Sequence, residues 1–340
     1  MKSLANKFTL IFSILLLAVF GFGQTEEHLQ ATFDPDLPKL TQSLKQAPDF
    51  AEKSLHLTAP AIELPMPDGT KKSFRMFKTH PMHPELAAKF PEIQTYHGKC
   101  YGDGISAISV TISPKGLSAM VLDDRFEEVF IEPEGESKPG RYVSFYAPED
   151  ALSNYMCPMG DDVSAESISP KPATSDLQAP VGPAKSMVNN ANALGDKLRT
   201  HRFAVAATGE FTQAHGGTVA SALADIVTMV NQINLLYIRE FAINFQLVAN
   251  NNLIIYTDPN TDPYVNDGNP SPDLQNNNNA INAVIGSANY DIGHLMQNPT
   301  SCPGCGGCGG PGARVNWGQG SGVGVFNLWG IRGGNGPSFN

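Results

Sequence analysis

The chain has 340 residues, of which 41% are hydrophobic, and this length allows about two domains with real cores. Its net charge of −10 argues against a broad nucleic-acid interface, because such interfaces normally need a basic face. Only 16% of the residues are charged, whereas Gly and Pro number 32 and 26, which suits an extracellular protein rich in strands and loops.

Residues 1–23 predict a secretory signal peptide. Lys2 and Lys7 form a basic start, FTLIFSILLLAVFGF supplies the apolar segment, and small residues precede a cleavage site before Gln24. A membrane anchor is the alternative, but the apolar run is short of the ~20 residues that span a bilayer. We therefore expect a secreted protein that has no membrane span after cleavage.

Residues 24–158 predict a mainly β domain with one short helix. IELPMPDGTKKSFRMF alternates around a Pro-Asp-Gly turn at residues 67–69, which is the pattern of a β-hairpin. Several short apolar strands follow, and Pro84 suits the first turn of a helix. The HPMH segment that precedes this helix is predicted to be a surface loop rather than a metal site, since zinc needs three or four ligands.

Residues 159–196 predict a linker between two domains. They are rich in Ser, Pro, Ala and Lys and show little periodicity. Few of them are apolar enough to be buried, so we expect proteolysis to act here. Lys171, Lys185 and Lys197 are candidate cleavage sites, although lysines occur in most linkers.

An α/β pattern begins at Leu198. An apolar segment, Phe203 to Thr208, predicts a buried strand, and Thr218 is placed to cap a long helix that should end near Phe241. INFQLVANNNLIIY then predicts strands on both sides of an Asn turn, followed by a polar loop and a short helix at residues 280–285. Spacings of three and four place the apolar residues of the long helix on one face. These residues are Val219, Leu223, Ile226, Val227, Val230, Ile233 and Tyr237.

Neither the polar loop nor the two histidines near the first strand of this domain indicates a metal site. The loop starts like a calcium-binding loop, but its sixth position is Pro263 rather than Gly and its twelfth is Asn269 rather than Glu. A looser calcium site is left open. For His201 and His215 we expect structural hydrogen bonds, because no Glu separates closely spaced histidines.

Four segments of this domain together carry a family resemblance. LRTHRFAVAATGEFTQAHGGT, VNQINLLYIREFAINFQLVANN, YTDPNTDPY and NAVIGSANYDIGHLM closely resemble the catalytic domain of secreted bacterial reprolysin-like zinc metallopeptidases, which belong to the metzincin group. LPMPDGTKKSFRMF and ELAAKFPEIQTY resemble the region that precedes that domain, so residues 24–158 resemble a prodomain. The expected class is α+β: a mainly β prodomain followed by a partial metzincin-like α/β catalytic domain at residues 197–340.

The resemblance implies zinc as cofactor, a peptide or protein as substrate, and hydrolysis by a zinc-activated water. It also implies that one edge strand by the cleft binds the substrate. The residues assigned to that strand are Asn289, Tyr290, Asp291, Ile292, Gly293, His294 and Leu295.

The zinc motif HExxHxxGxxH does not follow this strand. That motif needs two histidines four apart on a helix, a Glu that polarises the attacking water, and a third histidine. In an approximate alignment of the tail, Asn327 and Leu328 stand where His and Glu belong, and Ile331 where the second His belongs. The resemblance therefore implies zinc, while the ligands are not present in the sequence.

The tail from about residue 297 differs from the rest of the chain. Its last 42 residues hold 14 of the 32 glycines and contain no Asp, Glu or His. The composition favours a reading-frame artefact with a truncated chain; a pseudoenzyme and an active enzyme with an unorthodox site are the alternatives. A binding module of a different class, holding peptides by strand addition without cutting them, is a further alternative. We expect the tail not to pack, because ordering so many glycines costs entropy.

The five cysteines leave several interpretations open. Cys100 and Cys157 are candidates for a disulfide in a secreted protein, or for a cysteine switch in which a thiolate occupies the open position of a zinc. Cys302, Cys305 and Cys308 are spaced by three, but no fourth Cys or His follows. A structural zinc site is disfavoured there, since such sites usually take four ligands.

Overall fold

The computed structural model describes eight ranges of the chain: 29–50, 58–125, 127–135, 138–147, 197–265, 270–297, 314–317 and 320–323. Several predictions fall outside these residues. They concern the signal peptide, the linker, Cys157, the three cysteines of the tail, and the zinc-motif positions Asn327, Leu328 and Ile331.

The first sheet is antiparallel and has eight strands in the order β1-β8-β7-β6-β5-β4-β3-β2. Its strands and helices are β1 Gln30–Phe33, α1 Leu37–Leu44, β2 Ala61–Pro65, β3 Lys71–Lys78, α2 Pro84–Lys89, β4 Gln94–Cys100, β5 Ala107–Ser113, β6 Gly116–Leu122, β7 Glu128–Pro133 and β8 Tyr142–Tyr146. The predicted hairpin is confirmed: β2 pairs with β3 around a turn in which Gly69 has φ +80°, a conformation that glycine adopts without strain.

The second sheet has five strands in the order β10-β9-β11-β12-β13. Its elements are β9 Arg199–Ala207, α3 Gly209–Ala214, α4 Val219–Phe241, β10 Ile243–Leu247, a 3-10 helix Asn251–Ile254, α5 Pro270–Val284, β11 Ile292–Met296, β12 Arg314–Trp317 and β13 Gly320–Val323. The central strand β9 runs parallel to β10 and β11, whereas β12 runs antiparallel to β11 and β13 antiparallel to β12. One antiparallel sheet and one mixed sheet with helices place the described residues in the α+β class.

The long helix α4 has the predicted limits. It begins after Thr218, whose side chain accepts a hydrogen bond from the Ser221 N–H at 3.1 Å, and it ends at Phe241. Among the described residues it is one helix long and apolar enough to cross a membrane. Most of it is buried inside the protein, which is the behaviour of a core helix.

Helices lie on both faces of the second sheet. Phe203, Val205 and Ala207 of β9 pack with α4, while the alternating residues Ala204 and Ala206 pack with α5. This alternation follows from the two-residue period of a strand. Strand β9 is therefore buried on both faces, as the apolar sequence predicts.

Two local predictions are wrong. The Asn-rich stretch from 270 to 279, predicted as loop, is the first part of α5, because Ile281 and Ile285 bury its apolar face and Asn277 accepts a hydrogen bond from Tyr264. The second strand predicted after the Asn turn is a 3-10 helix with a single bridge from Ile255 to Ala207. Tertiary packing overrides the local propensity in both places.

The tail also differs from the expectation that it would not pack. Strand β12 pairs with β11 at Ile292 and Gly293, and β13 completes an antiparallel hairpin with β12. These eight tail residues, 314–317 and 320–323, are the described part of the tail.

Candidate functional site

The strand assigned to substrate binding is shorter at its start than predicted. β11 begins at Ile292, and the residues before it form a turn held by their own side chains. The side-chain amide of Asn289 donates to the Ile285 carbonyl at 2.6 Å, and the buried Tyr290 hydroxyl donates to the Asn282 side chain at 2.8 Å. These two side chains are therefore engaged in fixing the end of α5.

The carboxylate of Asp291 is bound by Arg202. One oxygen accepts the Arg202 backbone N–H at 2.8 Å, and the other accepts guanidinium N–H groups at 2.6 and 3.2 Å. The hydrogen bonds and charge of Arg202 hold the pKa of Asp291 below its usual range. Asp291 therefore ties the start of β11 to β9.

The expectation of an edge strand is wrong here: β11 lies inside the second sheet, between β9 and β12. All five residues of β11 pair in parallel with β9, and Ile292 and Gly293 also pair with β12. The Thr208 N–H donates to the Met296 carbonyl. The backbone N–H and C=O groups of Ile292, His294 and Met296 therefore face β9. By alternation, the outward-facing backbone groups are those of Gly293 and Leu295.

His294 is the one buried histidine of this strand. Its side chain is 3% exposed, its Nδ1 has no hydrogen-bond partner within the described part, and its ring centroid lies 6.0 Å from that of Phe203. Burial lowers the pKa of His294 to about 4, so the imidazole is neutral near pH 7. A neutral imidazole is chemically able to bind a metal, but among the described residues His294 belongs to no group of three or more potential ligands.

No group of three or more His, Cys, Asp or Glu residues within the described ranges is arranged to hold a metal ion. The other histidines that the structure describes have structural contacts. His215 contacts Asp225 through Nδ1 at 2.6 Å and stacks on Phe211, and the Nδ1 of His83 accepts the Glu85 N–H at the start of α2. The described residues therefore do not fit a catalytic zinc.

The polar loop uses its carboxylates to shape itself. Asp258 accepts the backbone and side-chain N–H groups of Asn260 at 2.9 and 3.0 Å. Asp262 accepts the N–H of Gly209 at 2.6 Å and that of Tyr264 at 2.9 Å, and burial raises its pKa. These contacts fasten the loop to the end of β9 and engage the carboxylates of Asp258 and Asp262 in hydrogen bonds within the protein.

Cys100 is a free thiol that lies in the core of the first sheet. Its neighbours include Tyr96 on the same face of β4, whereas His97, on the opposite face, contacts α4. A cysteine switch through Cys100 would have to pull this side chain out of its own core. The disulfide with Cys157 and the switch role of Cys157 stay predictions.

Three buried asparagines were not anticipated from the sequence. Asn234 exchanges two hydrogen bonds with the backbone of Phe245, and Asn251 does the same with Val205. Asn231 joins α4 to the first sheet. For Asn231 and Asn234 the signal in the sequence was an amide on an otherwise apolar helical face, which is where an unpaired polar group would be costly.

Comparison with known proteins points to one family. No curated protein matches the chain. Residues 197–324, less than half of the chain, match the model of the reprolysin-like metallopeptidases of family M12B, and this range starts just before β9 and ends just after β13. Such peptidases act on proteins or peptides and are generally zinc-dependent. The comparison thus supports a reprolysin-like metallopeptidase, a hydrolase, as the origin of the second sheet and its helices.

Proposed function

We propose that this chain is a secreted, zymogen-type protein built on a zinc metalloendopeptidase scaffold, and that the chain as written does not hydrolyse peptides. The observation that carries the proposal is the family match over residues 197–324, combined with a sequence that contains no HExxHxxGxxH motif. In the active family, bound zinc supplies a Lewis acid and an activated water. The described residues of this chain offer no ligand set through which that chemistry can be assigned.

Secretion rests on the first 23 residues, whose basic start, apolar run and small residues are those of a signal peptide. Amino-terminal sequencing of exported protein should give a start near Gln24. An intact Met1 on cytosolic protein would contradict the proposal.

The prodomain role of residues 24–158 is supported by the way the first sheet covers α4. Strands β4 and β5 pack along this helix, which is the main core helix of the peptidase-like part. A segment that covers a core helix before cleavage is suited to assist folding and to hold the protein in a latent form. The linker at residues 159–196 is the expected place of cleavage.

Peptidase activity is the direct test. The full chain, and the chain cut in the linker, should show no chelator-sensitive hydrolysis of unstructured protein substrates when zinc is added. Chelator-sensitive hydrolysis that purifies with the chain would contradict the proposed inactivity. Reading the coding sequence beyond codon 296 in all three frames separates the alternatives: an encoded HExxHxxGxxH in another frame indicates an artefact, and its absence a pseudoenzyme.

A non-catalytic peptide-binding module is the second candidate. It is favoured by the pairing of β11: β12 pairs with this strand at Ile292 and Gly293, whereas the outward-facing backbone groups of β11 extend to Leu295. A peptide could add a strand at the part that β12 does not pair with. Substrate binding at Asn289–Leu295 would then persist without a metal. Peptide titration should show binding that Leu295→Pro abolishes, because this change removes the outward-facing N–H that lies beyond the pairing with β12. Absent binding, or binding unchanged by the proline, excludes the module.

A further inference from the structure

A segment of the first sheet is built into the second. Residues 79–93 connect β3 to β4, yet they lie against β10 and α4. The Leu247 N–H donates to the Pro81 carbonyl at 2.7 Å, and the His83 N–H donates to the Leu247 carbonyl at 2.8 Å. Met82 thereby forms a parallel bridge with Leu247 and extends the sheet beyond β10. The prediction of HPMH as a surface loop is wrong for this residue.

The apolar side chains of this segment complete the core of the second sheet. Met82 is 5% exposed, Leu86 0% and Ile93 5%, and all three belong to the cluster formed by β9, α4 and β10. If the first sheet left, the apolar surface beneath them would be exposed to water.

Polar contacts surround the apolar ones. The ammonium group of Lys89, at the end of α2, lies 3.4 Å from the Ala249 carbonyl and from the side-chain oxygens of Asn250 and Asn252. The backbone carbonyl of His80 accepts a side-chain N–H of Gln246 at 3.2 Å. The segment is therefore fixed to the loop after β10 as well as to the strand.

A second, independent contact lies along α4. The Asn231 side chain donates to the Ser109 hydroxyl at 2.9 Å and to the Val110 carbonyl at 3.1 Å, and accepts from the Thr79 hydroxyl at 2.8 Å. The His97 ring contacts the Asn231 carbonyl through Nε2 at 2.8 Å. Separation of the two sheets would exchange each of these buried hydrogen bonds for hydrogen bonds to water, which is a modest net loss for each bond.

A third contact closes the rim of the interface. The Lys115 ammonium, in the turn between β5 and β6, contacts the Asp225 carboxylate on α4 and donates to the His215 carbonyl at 3.0 Å. This ion pair is partly exposed, so it contributes little to affinity. It adds specificity, because it fixes the register of the first sheet along the helix.

We propose that the first sheet is a permanent partner of the second, so that cleavage in the linker yields a non-covalent two-chain complex instead of a released peptidase-like part. The partner of residues 197–297 is thus the amino-terminal piece of the same chain. It docks through its residues 79–93 and through its contacts with Asn231 of α4. The inference takes from the proposed function only the expectation that the linker is cut. It requires neither zinc nor peptidase activity, so each can fail without the other.

The test cuts the full chain once. A site for a specific protease is placed within residues 170–176 of the linker, and the purified chain is digested to completion, as verified on a denaturing gel. Size-exclusion chromatography with light scattering should then show both pieces in one peak with the mass of the uncut protein. Two separate peaks, or precipitation of one piece with the other left soluble, would overturn the proposal.

Two charged variants on the same helix provide a matched comparison. Leu86→Asp places a carboxylate in the shared core and should make the pieces separate after cleavage, whereas Ala88→Asp places it on the exposed face of α2 and should leave the complex intact. Equal behaviour of the two variants would contradict the assigned role of α2.

A milder variant covers the case in which Leu86→Asp does not fold before cleavage, as judged by circular dichroism. Leu86→Ala should raise the dissociation constant of the two pieces by about 30-fold or more, by analogy with other buried Leu→Ala changes. A change below about three-fold would mean that α2 does not hold the pieces together.

Discussion

Asn231→Leu is the single substitution that most directly probes the contact between α4 and the first sheet. The side chain is fully buried and exchanges four hydrogen bonds with that sheet, three as donor and one as acceptor. Leucine has nearly the same size, so the change removes the polar partners without opening a large cavity. The groups left behind are two backbone carbonyls and two hydroxyls.

The expected cost follows from the four lost hydrogen bonds. The Tyr96 and Val110 carbonyls keep their ladder partners, because these two residues pair directly between β4 and β5. A typical hydrogen bond contributes about 0.5–1.5 kcal/mol net, and hydroxyls can rotate toward other acceptors. Counting roughly two bonds as not replaced gives a loss of about 2 kcal/mol of unfolding free energy. For a protein of this size that loss corresponds to a melting temperature lower by roughly 4–8 °C.

Calorimetry of the uncut chain measures this effect, and Asn279→Leu provides the control. Asn279 lies exposed on α5, where its amide oxygen accepts only a side-chain hydrogen bond from Gln275. The control should melt within about 2 °C of the parent protein, since exposed changes usually cost under ~0.5 kcal/mol. If Asn231→Leu melts with the control, the polar contact does not hold the sheet to the helix.

Three further changes test separate parts of the structure. Burial lowers the pKa of His97 to about 4, so the unfolding free energy should fall as the pH drops from about 6.5 toward 4. In chemical denaturation, His97→Gln should reduce this slope by up to ~1.4 kcal/mol per pH unit. An unchanged slope would show that His97 does not contribute to the pH dependence of stability. Gly209→Ala should lower the unfolding free energy by about 1–3 kcal/mol, because the added Cβ would lie 2.2 Å from the backbone nitrogen of Pro259. Gly102→Ala should leave the stability unchanged, since its Cβ would meet no close atom. Equal thermal stability of the two variants would contradict this prediction. Asp291→Asn should lower the unfolding free energy by about 1 kcal/mol at pH 7 and by progressively less below pH 4, where the carboxylate becomes protonated. A loss of stability that does not change with pH would show that the charge of Asp291 is not involved.

The local elements of the second sheet could be predicted because their signals are local. A capping threonine, apolar residues at helical spacing and a β-branched apolar run sufficed for α4 and β9. The start of α5 could not be predicted, because asparagines favour turns and only contacts such as Tyr264 with Asn277 make that stretch helical.

The relation between the two sheets could not be read from the sequence for a different reason. Periodicity shows that Met82, Leu86 and Ile93 are apolar, but it does not say against which sheet they pack. Their partners lie more than a hundred residues away along the chain. The same limit applies to the candidate site: the sequence located β11, but not the Arg202 contact that engages Asp291.

Zinc content of the purified chain tests the central claim most directly. The purified full chain is incubated with excess zinc and dialysed against zinc-free buffer, and its zinc content is measured by mass spectrometry of the metal. If the chain has a reprolysin-like scaffold without the zinc ligands, as proposed, it should retain far less than one zinc per chain, since structural and catalytic sites need at least three protein ligands. Stoichiometric zinc that survives dialysis would contradict the account and show that the chain holds a site of another kind.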